Sequence, residues 1–212
     1  MINKKNLRSF VQFSVLLALE AIVCFTPLGS LPAIGPMVAT LSAIPVIITA
    51  IMLGTGWGSL MGFFFGLFSF LVWTFTPPSP IVAFLYTPFY SVGDIAGNFW
   101  SLVICFVPRI LIGTVTGLVY GLLSKRMQGN AKKDAVVYGV SGVLGSLTNT
   151  FLVLGGVYIF FGRDYAAAIG QGFELLLGIM GSMILLNGLP EAVLGGLCAF
   201  FLCRALKKRE VR

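Results

Sequence analysis

Six long stretches of the chain are filled with apolar residues, and short polar or glycine- and proline-rich segments separate them. Crossing a hydrocarbon core takes roughly 20 apolar helical residues. The pattern therefore predicts membrane-spanning helices over residues 9–26, 36–53, 57–75, 101–123, 135–161 and 175–203. Pro27 ends the first stretch, and Pro45 predicts a kink in the second. Gly54-Thr55-Gly56 predicts a tight turn before the third. Residues 76–100 break the pattern. Pro77, Pro78, Pro80 and Pro88 make this segment too proline-rich for a straight span, yet its aromatics make it too apolar for an ordinary loop. It is expected at the membrane surface or folded back over the helices. No internal repeat stands out, so residues 1–212 read as a single transmembrane domain.

Composition supports this reading. The chain is 58% hydrophobic and 10% charged, whereas soluble domains are about 45–50% apolar and about 25% charged. The predicted fold class is an all-α membrane protein, a six-transmembrane-helix bundle. Gly58, Gly62 and Gly66 recur at every fourth position, as do Gly113, Gly117 and Gly121. Such small residues let a neighbouring backbone come close, inside the bundle or in a partner subunit. The net charge of +7 is unevenly spread: 12 of the 14 basic residues fall in clusters at residues 4–8, 125–133 and 204–212. Six crossings that start in the cytoplasm place all three clusters, and both termini, on the cytoplasmic side, as the positive-inside rule requires. A basic groove for nucleic acid is not indicated. The first apolar segment lacks a small-residue cleavage site and reads as a retained helix. Cys24, Cys105, Cys198 and Cys203 form no CxxC pair and read as apolar filler. With no histidine, no phosphate loop of the Walker type and no HExxH, the sequence offers no motif for catalysis. It calls for no metal or cofactor either.

Polar side chains inside the spans need a reason, because each costs ~2.5–3.5 kcal/mol on insertion scales. Glu20 and Arg109 lie about six to eight residues from the outer ends of their spans, roughly 9–12 Å deep at about 1.5 Å per residue. They could neutralise each other as an ion pair. Alternatively, Arg109 meets an anionic or carbonyl-bearing ligand and Glu20 orients it. Pro108 frees a backbone carbonyl beside Arg109, which suits a cavity wall. Asn149, between Thr148 and Thr150, and Asn187 share a depth about 12 residues from the outer ends of the last two spans. They either bond to each other or converge on one cavity. Glu191, next to Pro190, closes the floor of that cavity or stabilises a break in the helix. In the outer segment, Tyr86, Phe89, Tyr90, Asp94, Asn98 and Trp100 are interfacial anchors or form a lid. The candidate ligand-binding residues are thus Glu20, Tyr86, Tyr90, Asp94, Asn98, Arg109, Asn149, Asn187 and Glu191. Ser14, Ala18 and Ala21 form a small-residue stripe on the first span, for packing in the bundle or for docking a partner.

Several of these elements occur together in one family. They are the size and span count, the Ser14/Ala18 stripe, Ile44-Pro45-Val46 leading to Leu53-Gly54, and the Gly58/Gly62/Gly66 span. Thr148-Asn149-Thr150 and Asn187-Gly188-Leu189-Pro190-Glu191-Ala192 add polar signatures in the last two spans. Over nearly its whole length the chain resembles the substrate-binding S component of energy-coupling-factor (ECF) vitamin transporters of bacteria. It departs from the family at Ser14, where the stripe usually holds alanine. The resemblance implies a multi-pass protein of the bacterial cell membrane that captures a vitamin beneath its outer loops. It would dock through helix one onto a transmembrane coupling protein served by two cytoplasmic ATPases, and topple to release its ligand. Pantothenate is the first expectation, since Arg109 could meet its carboxylate; riboflavin is the second, for the aromatics nearby. A stand-alone secondary transporter coupled to protons through Glu20 or Glu191 is the alternative, though such proteins generally use repeated halves. A membrane enzyme is a third reading, with no motif behind it.

Overall fold

A computed structural model describes residues 4–26, 41–126 and 131–206. Among these residues seven α-helices run in chain order: α1 (Lys4–Phe25), α2 (Ala43–Leu53), α3 (Thr55–Phe75), α4 (Phe99–Arg126), α5 (Ala131–Ala168), α6 (Leu176–Met183) and α7 (Leu189–Cys198). A π-helical turn, Ile184–Gly188, joins α6 to α7, and a second, Ala199–Cys203, follows. Among the described residues, five helical stretches are long and apolar enough to cross a membrane: Asn6–Phe25, Thr55–Phe75, Phe99–Arg126, Asp134–Ala168 and Phe173–Leu206. The expected second span corresponds to α2, which has 11 residues. That is roughly 16 Å of helix, about half a hydrocarbon core. Residues 36–40 of that expected span, and the 28–35 stretch before it, lie outside the described residues.

Local chemistry explains the other departures from the expected boundaries. Pro45 does not kink α2. It is the third residue of the helix, where its missing N–H costs no intrahelical bond. The expected turn at residues 54–56 shrinks to Gly54 alone, which ends α2 and starts α3 at φ 100°. That backbone conformation favours glycine. The expected loop after residue 161 is helical instead: α5 continues through Arg163 and Asp164, both exposed, to Ala168.

The glycine repeats bring α3 against α4. A methyl group added at Gly62 would collide with the carbonyl of Arg109, and one at Gly113 with the carbonyl of Gly58. At Gly117 it would lie 2.6 Å from Thr55 Oγ1. Both repeats therefore pack within the bundle; Gly121 alone among the six faces open space.

Residues 76–98 fold back over one end of the bundle. They form a 3₁₀ turn, Pro80–Leu85, and a two-stranded antiparallel hairpin, β1 (Ser91–Val92) with β2 (Ile95–Ala96). Val82, Phe84 and Leu85 are fully buried and pack with Ile104, Phe161, Tyr165 and Leu176. Ser101 Oγ donates to the Phe84 carbonyl at 2.6 Å and pins the turn to α4. A second core, with Val46, Ile47, Met61, Phe65 and Ile112, fills the other half. α1 lies on the outside: Phe10, Val15, Leu19 and Ile22 point away from the bundle, whereas Phe13 and Glu20 point inward.

Candidate functional site

A cavity of about 110 Å³ opens between the two cores. A single water needs about 10–15 Å³ by this kind of measure, so the space suits several waters or a small organic molecule. Its wall takes Phe65, Ser69 and Trp73 from α3, Arg109 from α4, Asn149 and Thr150 from α5, and Asn187 and Glu191 from the last helical stretch. Tyr86, Val82 and Pro78 close it from the folded-back segment. Convergence of polar groups from four helices in a mainly apolar wall is what a ligand site looks like.

Arg109 is the best-defined element. Pro108, inside α4, has no N–H to give to the carbonyl of Ile104 four residues earlier. The Arg109 side chain turns back and supplies the missing donor, Nη1 to Ile104 O, at 2.8 Å. Its guanidinium carbon lies 5.6 Å from the Phe65 ring centre and 5.2 Å from that of Tyr86, within cation–π range. Tyr86 in turn stacks on Trp73 at 4.5 Å. The head group is thereby fixed, yet buried Nε has no hydrogen-bond partner. Across the same cavity, buried Asn149 Oδ1 also has none. A buried polar atom left unpaired costs about 1–3 kcal/mol, more if charged. The wall thus offers a cationic donor and an amide acceptor, and a ligand with a matching anion and donor satisfies both.

The π-turn explains the opposite wall. Pro190 cannot donate to the carbonyl of Leu186. The helix widens just before it, and Leu189 N–H bonds to Ile184 O, five residues back. In a regular 3.6-residue helix, positions five apart are roughly 140° apart; a wide turn brings them onto one face. Met183 and Gly188 both reach the cavity this way, with Asn187 between them in sequence and Glu191 one turn on. The expected break at Pro190 is therefore a widened turn within a continuous helix. Gly188 also lets Thr150 approach: an added methyl would lie 2.6 Å from Thr150 Cγ2.

Five of the nine residues expected from the sequence line this cavity: Tyr86, Arg109, Asn149, Asn187 and Glu191. Four do not. Glu20 is fully buried behind the wall. Its Oε1 accepts a bond from Cys24 Sγ at 3.3 Å, and Oε2 has no partner. Among the described residues no Glu20–Arg109 ion pair forms, because the Ile104 carbonyl and two aromatic rings hold Arg109 elsewhere. Asp94 is exposed at the hairpin tip. Asn98 caps α4, its Oδ1 accepting from Trp100 N–H at 2.9 Å. The carbonyl of Tyr90 accepts from Gly97 N–H at 3.0 Å and closes the hairpin. Trp100 stacks on Phe160 at 4.1 Å, away from the cavity.

Phe65, Ser69 and Trp73 are wall residues that the sequence did not single out. Their spacing of four was the available signal, and a serine can satisfy itself within its own helix, so it gave no warning. Ser14 and Ala18 face outward on α1, and Ala21 is half-buried, so the first two do not pack inside the bundle.

An apolar helical bundle with a small, mainly apolar cavity carrying a few convergent polar groups matches a membrane component that binds substrate. The family described as "ECF transporter, substrate-specific component" matches residues 8–203, and the chain belongs to that family. It is a class of transport components, not of enzymes. The chain is also 32% identical to the pantothenic acid transporter PanT of Lactococcus lactis subsp. cremoris (strain MG1363) over 176 residues, 82% of this chain and 80% of that protein.

Proposed function

We propose that this chain captures pantothenate outside the cell, in the cavity around Arg109, and delivers it through an ATP-driven partner. The observation that carries the reading is the pair of unpaired buried atoms, Arg109 Nε and Asn149 Oδ1, in one small cavity. Pantothenate offers a carboxylate for the first, hydroxyl and amide donors for the second, and a dimethyl carbon for the apolar wall. The relative named for pantothenic acid supports the same choice. Riboflavin is the second reading, favoured by the Trp73–Tyr86 stack on the wall; its neutral ring leaves the guanidinium without an anion.

In the proposed arrangement the chain forms one domain and crosses the membrane six times, with α2 part of the second span and both termini in the cytoplasm. Its docking face is the outward stripe of Ser14 and Ala18 with Ala21, toward a transmembrane coupling protein with two ATPases. Calorimetric titration of the purified protein with pantothenate and with riboflavin tests the ligand. Liposomes test the partnership: pantothenate uptake is expected only when the coupling protein and ATPases are present with ATP. Uptake driven by a proton gradient with this chain alone would refute it.

A further inference from the structure

We infer that the cavity accepts a monoanionic ligand and rejects the phosphate monoester of that same ligand. The inference rests on the reading that this cavity is the substrate site, and it adds a charge limit. Arg109 is the one basic side chain on the described wall, and Glu191 the one acidic side chain. Three contacts restrict Arg109: Nη1 is committed to Ile104 O, and the Phe65 and Tyr86 rings lie within cation–π range. What remains on offer is its side edge, where Nε is unpaired. A planar carboxylate matches such an edge and brings one negative charge to one positive charge.

A phosphate monoester brings about −1.5 to −2 at neutral pH. On pantothenate it would be added to the carboxylate, with no second cation on the wall to meet it. The other polar wall groups, Ser42, Ser69, Asn149, Thr150 and Asn187, are neutral. The one carboxylate on the described wall, Glu191, has the same sign as the phosphate. The wall is mainly apolar, so the excess charge is carried at a lower dielectric than in water. The wall therefore selects by charge count as well as by shape, and the vitamin is recognised only before its hydroxyl is phosphorylated.

The test is competition against labelled pantothenate on the purified, detergent-solubilised protein, using unlabelled pantothenate and its phosphate monoester. The ester is expected to bind at least about 100-fold more weakly, the factor that an uncompensated charge costs on membrane insertion scales. In Glu191→Gln the ratio of the two affinities is expected to narrow at least about fivefold, whatever happens to each alone. Parity of the two ligands in the native protein would overturn the inference and leave the pantothenate reading standing. A ratio unmoved in Glu191→Gln would overturn it as well. If the protein binds riboflavin instead, the pantothenate reading falls. The inference falls with it, because neutral riboflavin brings no anion to Arg109, whereas parity of pantothenate and its ester ends the inference alone.

Discussion

Replacing Pro108 with alanine should strengthen the helix and weaken the ligand site. Proline in a helix interior is about 3 kcal/mol less favourable than alanine in water. In a membrane helix the penalty is smaller, because side chains can occupy the freed carbonyl. Here the occupant is Arg109 Nη1, 2.8 Å from Ile104 O. Pro108→Ala supplies a backbone N–H that competes for that carbonyl. A hydrogen bond to a charged group is worth about 1.5–3 kcal/mol, and a carbonyl has two lone pairs, so the new donor displaces part of it. Loss of about half, roughly 1.1 kcal/mol, loosens the guanidinium and lowers pantothenate affinity about sixfold. The unliganded protein should melt at the same temperature or higher. Titration calorimetry reads the first quantity and a thermal-shift measurement in detergent reads the second. Unchanged affinity would show that the Ile104 carbonyl does not position Arg109, and the account of this side chain would fail. A fall in melting temperature would mean that Pro108 shapes the bundle instead.

Gly62→Ala puts a methyl group against the Arg109 backbone, which cannot rotate aside; a loss of about 1–3 kcal/mol is expected, seen as a lower melting temperature. Gly121→Ala meets nothing within 4 Å and should leave the melting temperature unchanged or slightly raised. Asn149→Leu removes the unpaired amide oxygen and should weaken pantothenate binding at least about tenfold while expression and melting hold; unchanged affinity would mean that the amide serves packing alone. Ala18→Trp, on the outward face of α1, should block uptake in liposomes holding the whole complex yet spare binding. Loss of both would signal misfolding.

Much of the fold could be read from the sequence because a bilayer imposes length and polarity together. Five span-length helices appear where long apolar stretches stand, and the glycine repeats pack α3 on α4 as their spacing suggested. Boundaries were harder. Apolar composition says where hydrocarbon ends, but helical hydrogen bonding continues past it, as α5 does through Arg163 and Asp164. Pro45 and Pro190 show the converse limit. A proline's effect depends on the carbonyl four residues earlier, which is irrelevant in the first turn of α2 and is relieved by a widened turn before α7.

Depth and direction separate in the same way at the cavity. Counting residues from the span ends put Glu20 and Arg109 at one level, and Asn149 and Asn187 at another. Depth follows from the 1.5 Å rise, but facing depends on which neighbour each helix packs against. α1 turns Phe13 and Glu20 inward, seven residues apart on one face; Phe13 joins the core of Val46, Ile47 and Met61, and Glu20 bonds to Cys24 of its own helix instead of the guanidinium. Arg109 is aimed by a defect in its own helix, one residue before it. That local cause was visible in the Pro108-Arg109 pair, whereas the Glu20 partnership needed tertiary information that spacing does not carry. Tyr90, Asp94 and Asn98 missed the cavity for the same reason: the 3₁₀ turn ends at Tyr86, whose aromatic stack closes the site, and the hairpin beyond it leads to the cap of α4. An intramembrane polar residue is best assigned by what its own backbone leaves unpaired nearby, and only then by what lies at equal depth.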